Sequence, residues 1–215
     1  MSEPLQILDP IQARVLGCLI EKSLTTPEQY PLTQNAVVVA CNQKTSREPV
    51  MDLEPGAVGH ALRTLEDRKL VKCVYGARAQ RYEHSADAGL AITPKQRVLL
   101  ALLMLRGPQT AAELLSRSDR MLRFHDLDDV RTTLERLCQR EPALVVQVPR
   151  GPGQREDRYS HLLCGEPDLS AIAQPAAGAA RNALESRIEE LEHEVASLAE
   201  RIASLESQIV RNTLP

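Results

Sequence analysis

The sequence predicts a mainly α chain with small β-hairpins, an α+β class, and three patterns carry that expectation. A block of roughly 75 to 85 residues occurs twice; each copy holds three helix-like segments followed by two β-prone runs around a glycine turn; and the C-terminus runs in uninterrupted heptads. Composition agrees with a globular chain: 215 residues, 43% apolar and 26% charged. With no Trp, one Phe and four Tyr, the core must be built from Leu, Val, Ile and Ala, a set that favours helices.

Each copy opens with the same kind of helix start, Asp9-Pro10-Ile11-Gln12 and Thr93-Pro94-Lys95-Gln96. Asp or Thr at the N-cap offers a side-chain oxygen to unpaired backbone N–H groups, and proline in the first helical position gives up no hydrogen bond. The first helices then carry apolar faces, Val15, Leu16, Leu19 and Ile20 in one and Val98, Leu99, Leu102 and Leu103 in the other. Second helices are expected over about 32–42 and 110–116, the latter opened by Thr110 with Glu113 three residues on as a capping box. The third helices share one spacing, Val58, Leu62 and Leu65 against Val130, Leu134 and Leu137.

After each third helix comes a β-prone run, residues 70–75 or 144–148, then a turn holding Gly76 or Gly151 and Gly153. A second run closes in Arg81-Tyr82-Glu83-His84 or Arg158-Tyr159-Ser160-His161. Glycine supplies the φ values a hairpin turn needs, and β-branched residues with Tyr suit its strands. Three helices and a hairpin form the winged-helix plan, so two tandem winged-helix domains are expected at 5–86 and 90–165.

Residues 166–183, rich in Ala with Pro175 and Gly178, read as a flexible linker to a coiled-coil helix at 184–210. There Leu184, Leu191, Leu198 and Leu205 take the d positions and the β-branched Ile188, Val195, Ile202 and Ile209 take a, the combination suited to a parallel two-stranded coiled coil. Charges support that orientation, since Arg187 would face Glu192 of a partner and Arg201 would face Glu206. The stretch is ~39 Å long as a helix. The alternative is a single amphipathic helix folded back on its own domain.

Several long motifs resemble those of the YceH-like bacterial family of unknown function. They are residues 12–17 (QARVLG), 21–32 (EKSLTTPEQYPL), 40–51 (ACNQKTSREPVM), 105–110 (LRGPQT) and 149–163 (PRGPGQREDRYSHLL). The resemblance covers most of residues 5–165 and implies a tandem winged-helix fold with a C-terminal helical extension. It brings no activity and no catalytic residues.

No P-loop, GxGxxG, HExxH or GxSxG motif is present, so the expectation is a non-enzymatic protein without a cofactor. Five scattered cysteines without CxxC spacing read as buried reduced thiols, and His161 with Cys164 offers too few ligands for zinc. The recurrent His84 and His161 are expected to close each hairpin onto its body by a hydrogen bond. The longest apolar run, residues 98–105, is far short of the roughly 20 a membrane helix needs, and Glu3 and Asp9 stand where a basic, apolar signal would lie, so the expectation is a cytoplasmic chain off the membrane.

Double-stranded DNA is the first partner class, because a winged helix offers its third helix to the major groove and its hairpin to the neighbouring backbone. The candidate contacts in the first copy are His60 and Arg63 on the third helix and Lys72, Arg78 and Arg81 on the hairpin. In the second copy they are Arg131 and Arg136, then Arg150, Arg155 and Arg158. Lys44 and Arg47 join them from the polar loop after the second helix. Two features weigh the other way. The last 40 residues carry four Arg and seven Glu, which leaves the rest of the chain without net charge, and loops of about ten to twelve residues separate the second and third helices where a helix-turn-helix uses three or four. The rival partner class is therefore a protein, with the chain acting as a dimeric interaction scaffold. Self-association through the heptads serves either reading.

Overall fold

The computed structural model describes residues 7–75, 79–151 and 154–167. These lie in one compact unit. The heptad segment 184–210, the linker from residue 168 onward and Arg78 fall outside the described residues.

The first half runs α1 (Pro10–Thr25), a single 3-10 turn (Pro27–Gln29), β1 (Leu32–Thr33), α2 (Gln34–Cys41), α3 (Pro55–Asp67), β2 (Val71–Tyr75) and β3 (Gln80–His84). A short helix α4 (Ala86–Gly89) leads to the second half: α5 (Pro94–Arg106), α6 (Ala111–Ser118), α7 (Leu127–Gln139), β4 (Val145–Val148) and β5 (Arg158–His161). The class is α+β with small antiparallel sheets.

Helix starts follow local chemistry. The Asp9 carboxylate accepts from the Gln12 amide at 2.8 Å and the Gln12 side chain returns to the Asp9 N–H, and Thr93 with Gln96 and Thr110 with Glu113 close the same reciprocal box. The second helix begins two residues later than the sequence pattern implies, because Leu32 and Thr33 are drawn into a strand and the Thr33 hydroxyl caps α2.

The first sheet has the order β1-β3-β2, with Leu32 opposite Tyr82 and Cys73 opposite Tyr82 on its other side. The second half repeats this with β4 and β5, and its third strand is reduced to one residue, Gln109, bridged to Tyr159. Tyr82 and Tyr159 stand 77 residues apart, as do Leu32 and Gln109, so the two sheets are copies in register.

Helices α1 and α5 pack on each other, which joins the halves into a single core. Residues 12–20 of α1 are buried without a break, because α2 and α3 cover one side and α5 the other. Residues 98–105 of α5 are likewise all buried. A helix covered all round needs no polar face, which is why both lack a clean amphipathic stripe. At Gly17 the helices come closest: a Cβ there would lie 3.1 Å from the Leu105 side chain and 3.3 Å from that of Met104. Further bonds tie the halves: Leu8 N–H to the Leu163 carbonyl at 2.7 Å, Glu48 N–H to the Leu105 carbonyl at 2.9 Å, and Arg106 Nη2 to the Ser46 hydroxyl at 2.5 Å.

Candidate nucleic-acid interface

The polar residues of the third helices and hairpins converge in the second half. Arg131 on α7 and Arg150 and Arg155 from the β4–β5 hairpin line one surface cavity of about 410 Å³, floored by Ala111, Gln147 and Tyr159. Asp157 orders the hairpin end there. Its carboxylate accepts from the Arg150 amide at 3.0 Å and from Gln147 Nε2 at 2.7 Å, bonds that hold it below the ordinary carboxylate range. The Arg150 side chain reaches the Arg155 carbonyl, and Arg131 makes an exposed contact with Asp128 at 3.3 Å. Three arginines therefore line one opening, with Glu156 and Asp157 beside them and Asp128 against Arg131.

Arg136 does not join them. It lines a separate cavity with Lys95, Asp129 and Thr132, since five residues along a helix turn the side chain by about 140°. Acidic side chains in the first turn of α7 serve the helix itself: Asp126 caps the Asp129 amide and Asp129 pairs with Lys95 at 2.8 Å.

In the first half the candidates are more scattered. His60 and Arg63 are exposed on α3, and Lys72 lies with Lys69 and Glu66 along a groove on the α4 side. Arg81, though exposed, donates Nη1 to the Pro31 carbonyl at 2.8 Å. Arg158 does the same to Pro108 at 2.9 Å and also contacts Glu113.

The loop expectation needs correction. Lys44 is exposed, but the Arg47 side chain is completely buried and cannot reach a nucleic acid. Its guanidinium donates to both carboxylate oxygens of Glu21 at 3.1 and 2.5 Å, to Gln43 Oε1 at 2.9 Å and to the carbonyls of Ala40 and Ser46. Beside it Arg14, 1% exposed, donates to the carbonyls of Cys41 and Pro49. These two arginines hold the long loop between α2 and α3 onto α1. Sequence reasoning missed Arg14 and Glu21; the available signal was a single arginine inside the otherwise apolar run at 13–20.

The histidines behave unequally. His84 Nε2 meets the Ser23 hydroxyl at 3.2 Å, the hairpin-to-body bond the sequence implied; among the described residues the Nδ1 atoms of both His84 and His161 are buried with no partner. Burial, with Arg97 nearby, pushes His84 down to about 4, and burial alone does so for His161. All five cysteines are free; Cys18 and Cys41 are buried and the other three are half-buried. Among the described residues no three metal-ligating side chains cluster, and no helix is long and apolar enough to cross a membrane.

The family described as "Protein of unknown function, DUF480" matches residues 8–154, more than half of the chain. The chain belongs to the DUF480 family. This agrees with the resemblance carried by the motifs at 12–17, 21–32, 40–51 and 105–110. A UPF0502 protein of Mesorhizobium japonicum is 54% identical over 207 residues, covering 95% of this chain and 99% of the relative. A UPF0502 protein of Xanthomonas campestris is 53% identical over 214 residues, covering 96% of each, and one of Stenotrophomonas maltophilia is 52% identical over 203 residues, covering 94% and 93%. The DUF480 match takes in both halves, including Arg131 and Arg150; Arg155 and Arg158 lie just past it.

Proposed function

We propose that the chain is a non-enzymatic double-stranded-DNA-binding protein, with regulation of transcription as its role. It is built from two winged-helix units and is dimeric through the heptad segment 184–210. The observation that carries this reading is the convergence of Arg131 from the third helix with Arg150 and Arg155 from the hairpin on one cavity. Guanidinium forks suit both phosphate oxygens and guanine edges, and a helix with an adjoining hairpin can address groove and backbone together. The order of three helices and a hairpin with a short strand before the second helix, present twice, supports the winged-helix assignment. Alternating Leu and β-branched residues support the parallel dimer.

The test is fluorescence anisotropy of a mixed-sequence duplex across a salt series. Full-length protein should bind with strong salt dependence. The triple variant R131Q/R150Q/R155Q should flatten the log–log salt slope by about 2 to 3, the loss of three phosphate contacts. An unchanged slope removes this surface from the account, and absence of binding by the full chain even at low salt ends the DNA reading. Charged replacements of Leu191 and Leu198 should give a monomer by light scattering.

A protein-interaction scaffold is the second reading, and one observation favours it: Tyr75 and Val74 at the end of β2 are 79% and 38% exposed, an apolar edge that a protein partner would cover. Failure of DNA binding with retention of the dimer would shift the assignment to that reading.

A further inference from the structure

A second basic feature lies between the two halves. The C-terminal turns of α1, α5 and α6 bring Lys22, Arg106 and Arg117 to one groove, and Arg120 follows from the turn after α6. The loop after α2 closes one side with Ser46. The enclosed volume is about 970 Å³.

Charge in this groove is poorly balanced. Glu21 is gripped by both terminal nitrogens of the buried Arg47 and lies 4.0 Å from Lys22, and Arg117 pairs with Glu113 at 3.5 Å and donates to Gln109, which leaves Asp119 alone beside Arg106 and Arg120. Among the described residues neither Arg106 nor Arg120 has an ion pair; the Arg106 Nη2 ends on the Ser46 hydroxyl at 2.5 Å. Burial first, and then the neighbouring Arg117, hold the Arg106 guanidinium below its ordinary range. The C-termini of α1, α5 and α6, at roughly half a negative charge each, also favour cations in this groove.

We infer that this groove binds a small phosphorylated ligand, at a site separate from the α7–hairpin surface. Arginine forks and a lysine are the usual grip on phosphate oxygens. The volume lies in the range of small-molecule pockets. Such a ligand would touch Lys22 and Ser46 in the first half and Arg106, Arg117 and Arg120 in the second, so its occupancy would couple the halves. The inference stands without the DNA reading.

The probe is inorganic pyrophosphate, titrated into the full-length chain by calorimetry at low ionic strength. Saturable binding is expected, weakened about tenfold or more in R106Q/R120Q and in R120Q alone, and unchanged in R155Q. Arg120 is exposed, so R120Q keeps the test sound if the double variant folds poorly. No saturable heat up to about 10 mM pyrophosphate, or equal affinity in the variants, overturns the inference. A duplex that displaces pyrophosphate and itself loses affinity in R120Q would assign the groove to the DNA backbone and overturn it equally.

Discussion

Arg81 and Arg158 stand at the same position in the two halves, 77 residues apart, and make the same bond to the carbonyls of Pro31 and Pro108. Each ties the second hairpin strand to the residue just before the short strand that leads into the second helix. Two of the arginines expected on a DNA surface are thus part of how each half closes. Arg158→Ala should lower stability by about 1 to 2 kcal/mol in urea unfolding, the value of a half-exposed charge-assisted bond, while Arg155→Ala should stay within about 0.5 kcal/mol. Equal costs for the two would show that the repeated bond contributes nothing.

Arg47 with Glu21 is the stronger interaction. Arg47→Ala leaves a carboxylate, an amide oxygen and two carbonyls without their donor, and should cost about 3 to 5 kcal/mol. Arg47→Lys should recover only part of this, because one ammonium cannot reach acceptors arranged around a planar fork. Urea midpoints of the two variants against the parent check it, and a fully stable Arg47→Ala would refute the role given to the buried fork.

Gly17 and Gly56 should respond in opposite directions to alanine. At Gly17 the new Cβ meets Leu105 and Met104, and separating α1 from α5 should cost about 1 to 3 kcal/mol. At Gly56, on the first turn of α3, a Cβ meets nothing within 4 Å, and the gain should be about 0.5 kcal/mol from reduced backbone freedom. Thermal melts of both variants decide it.

His84 and His161 should make the fold acid-sensitive. Both titrate near 4 in the folded chain against about 6.5 unfolded, so below 6.5 the unfolded state takes up protons that the native state refuses. Stability is then intact above about pH 6.5 and falls as pH drops toward 4, by about 2 kcal/mol per histidine at pH 5. His161→Asn should remove about half of that slope between pH 6.5 and 5, read from urea unfolding at each pH; an undiminished slope would clear His161 of any part in it.

What the sequence made legible was whatever is settled within a few residues or repeated along the chain. The N-caps Asp9, Thr93 and Thr110 were readable because their bonds span three residues, and the hairpins because Tyr82 and Tyr159 recur in matching surroundings. Gln109 was not, since a strand one residue long has no pattern of its own. Arg47 misled for a different reason: a polar loop looks solvated, and only its bonds to Glu21, 26 residues earlier, reveal it as interior. The sequence put Arg131 on a third helix and Arg150 and Arg155 on its hairpin without bringing the three together, and the groove at Arg106 and Arg120 depends on how α1 and α5 pack and left no trace in local spacing.

The packing of α1 on α5 also sets a condition on synthesis. During translation α1 is finished at residue 25, yet the helix that covers its second side is complete only at residue 106. At about 5 to 20 residues per second that interval lasts roughly 4 to 16 s. Throughout it the face of α1 around Gly17 has no partner helix of its own chain, so the first half cannot finish its core until the second half has been made.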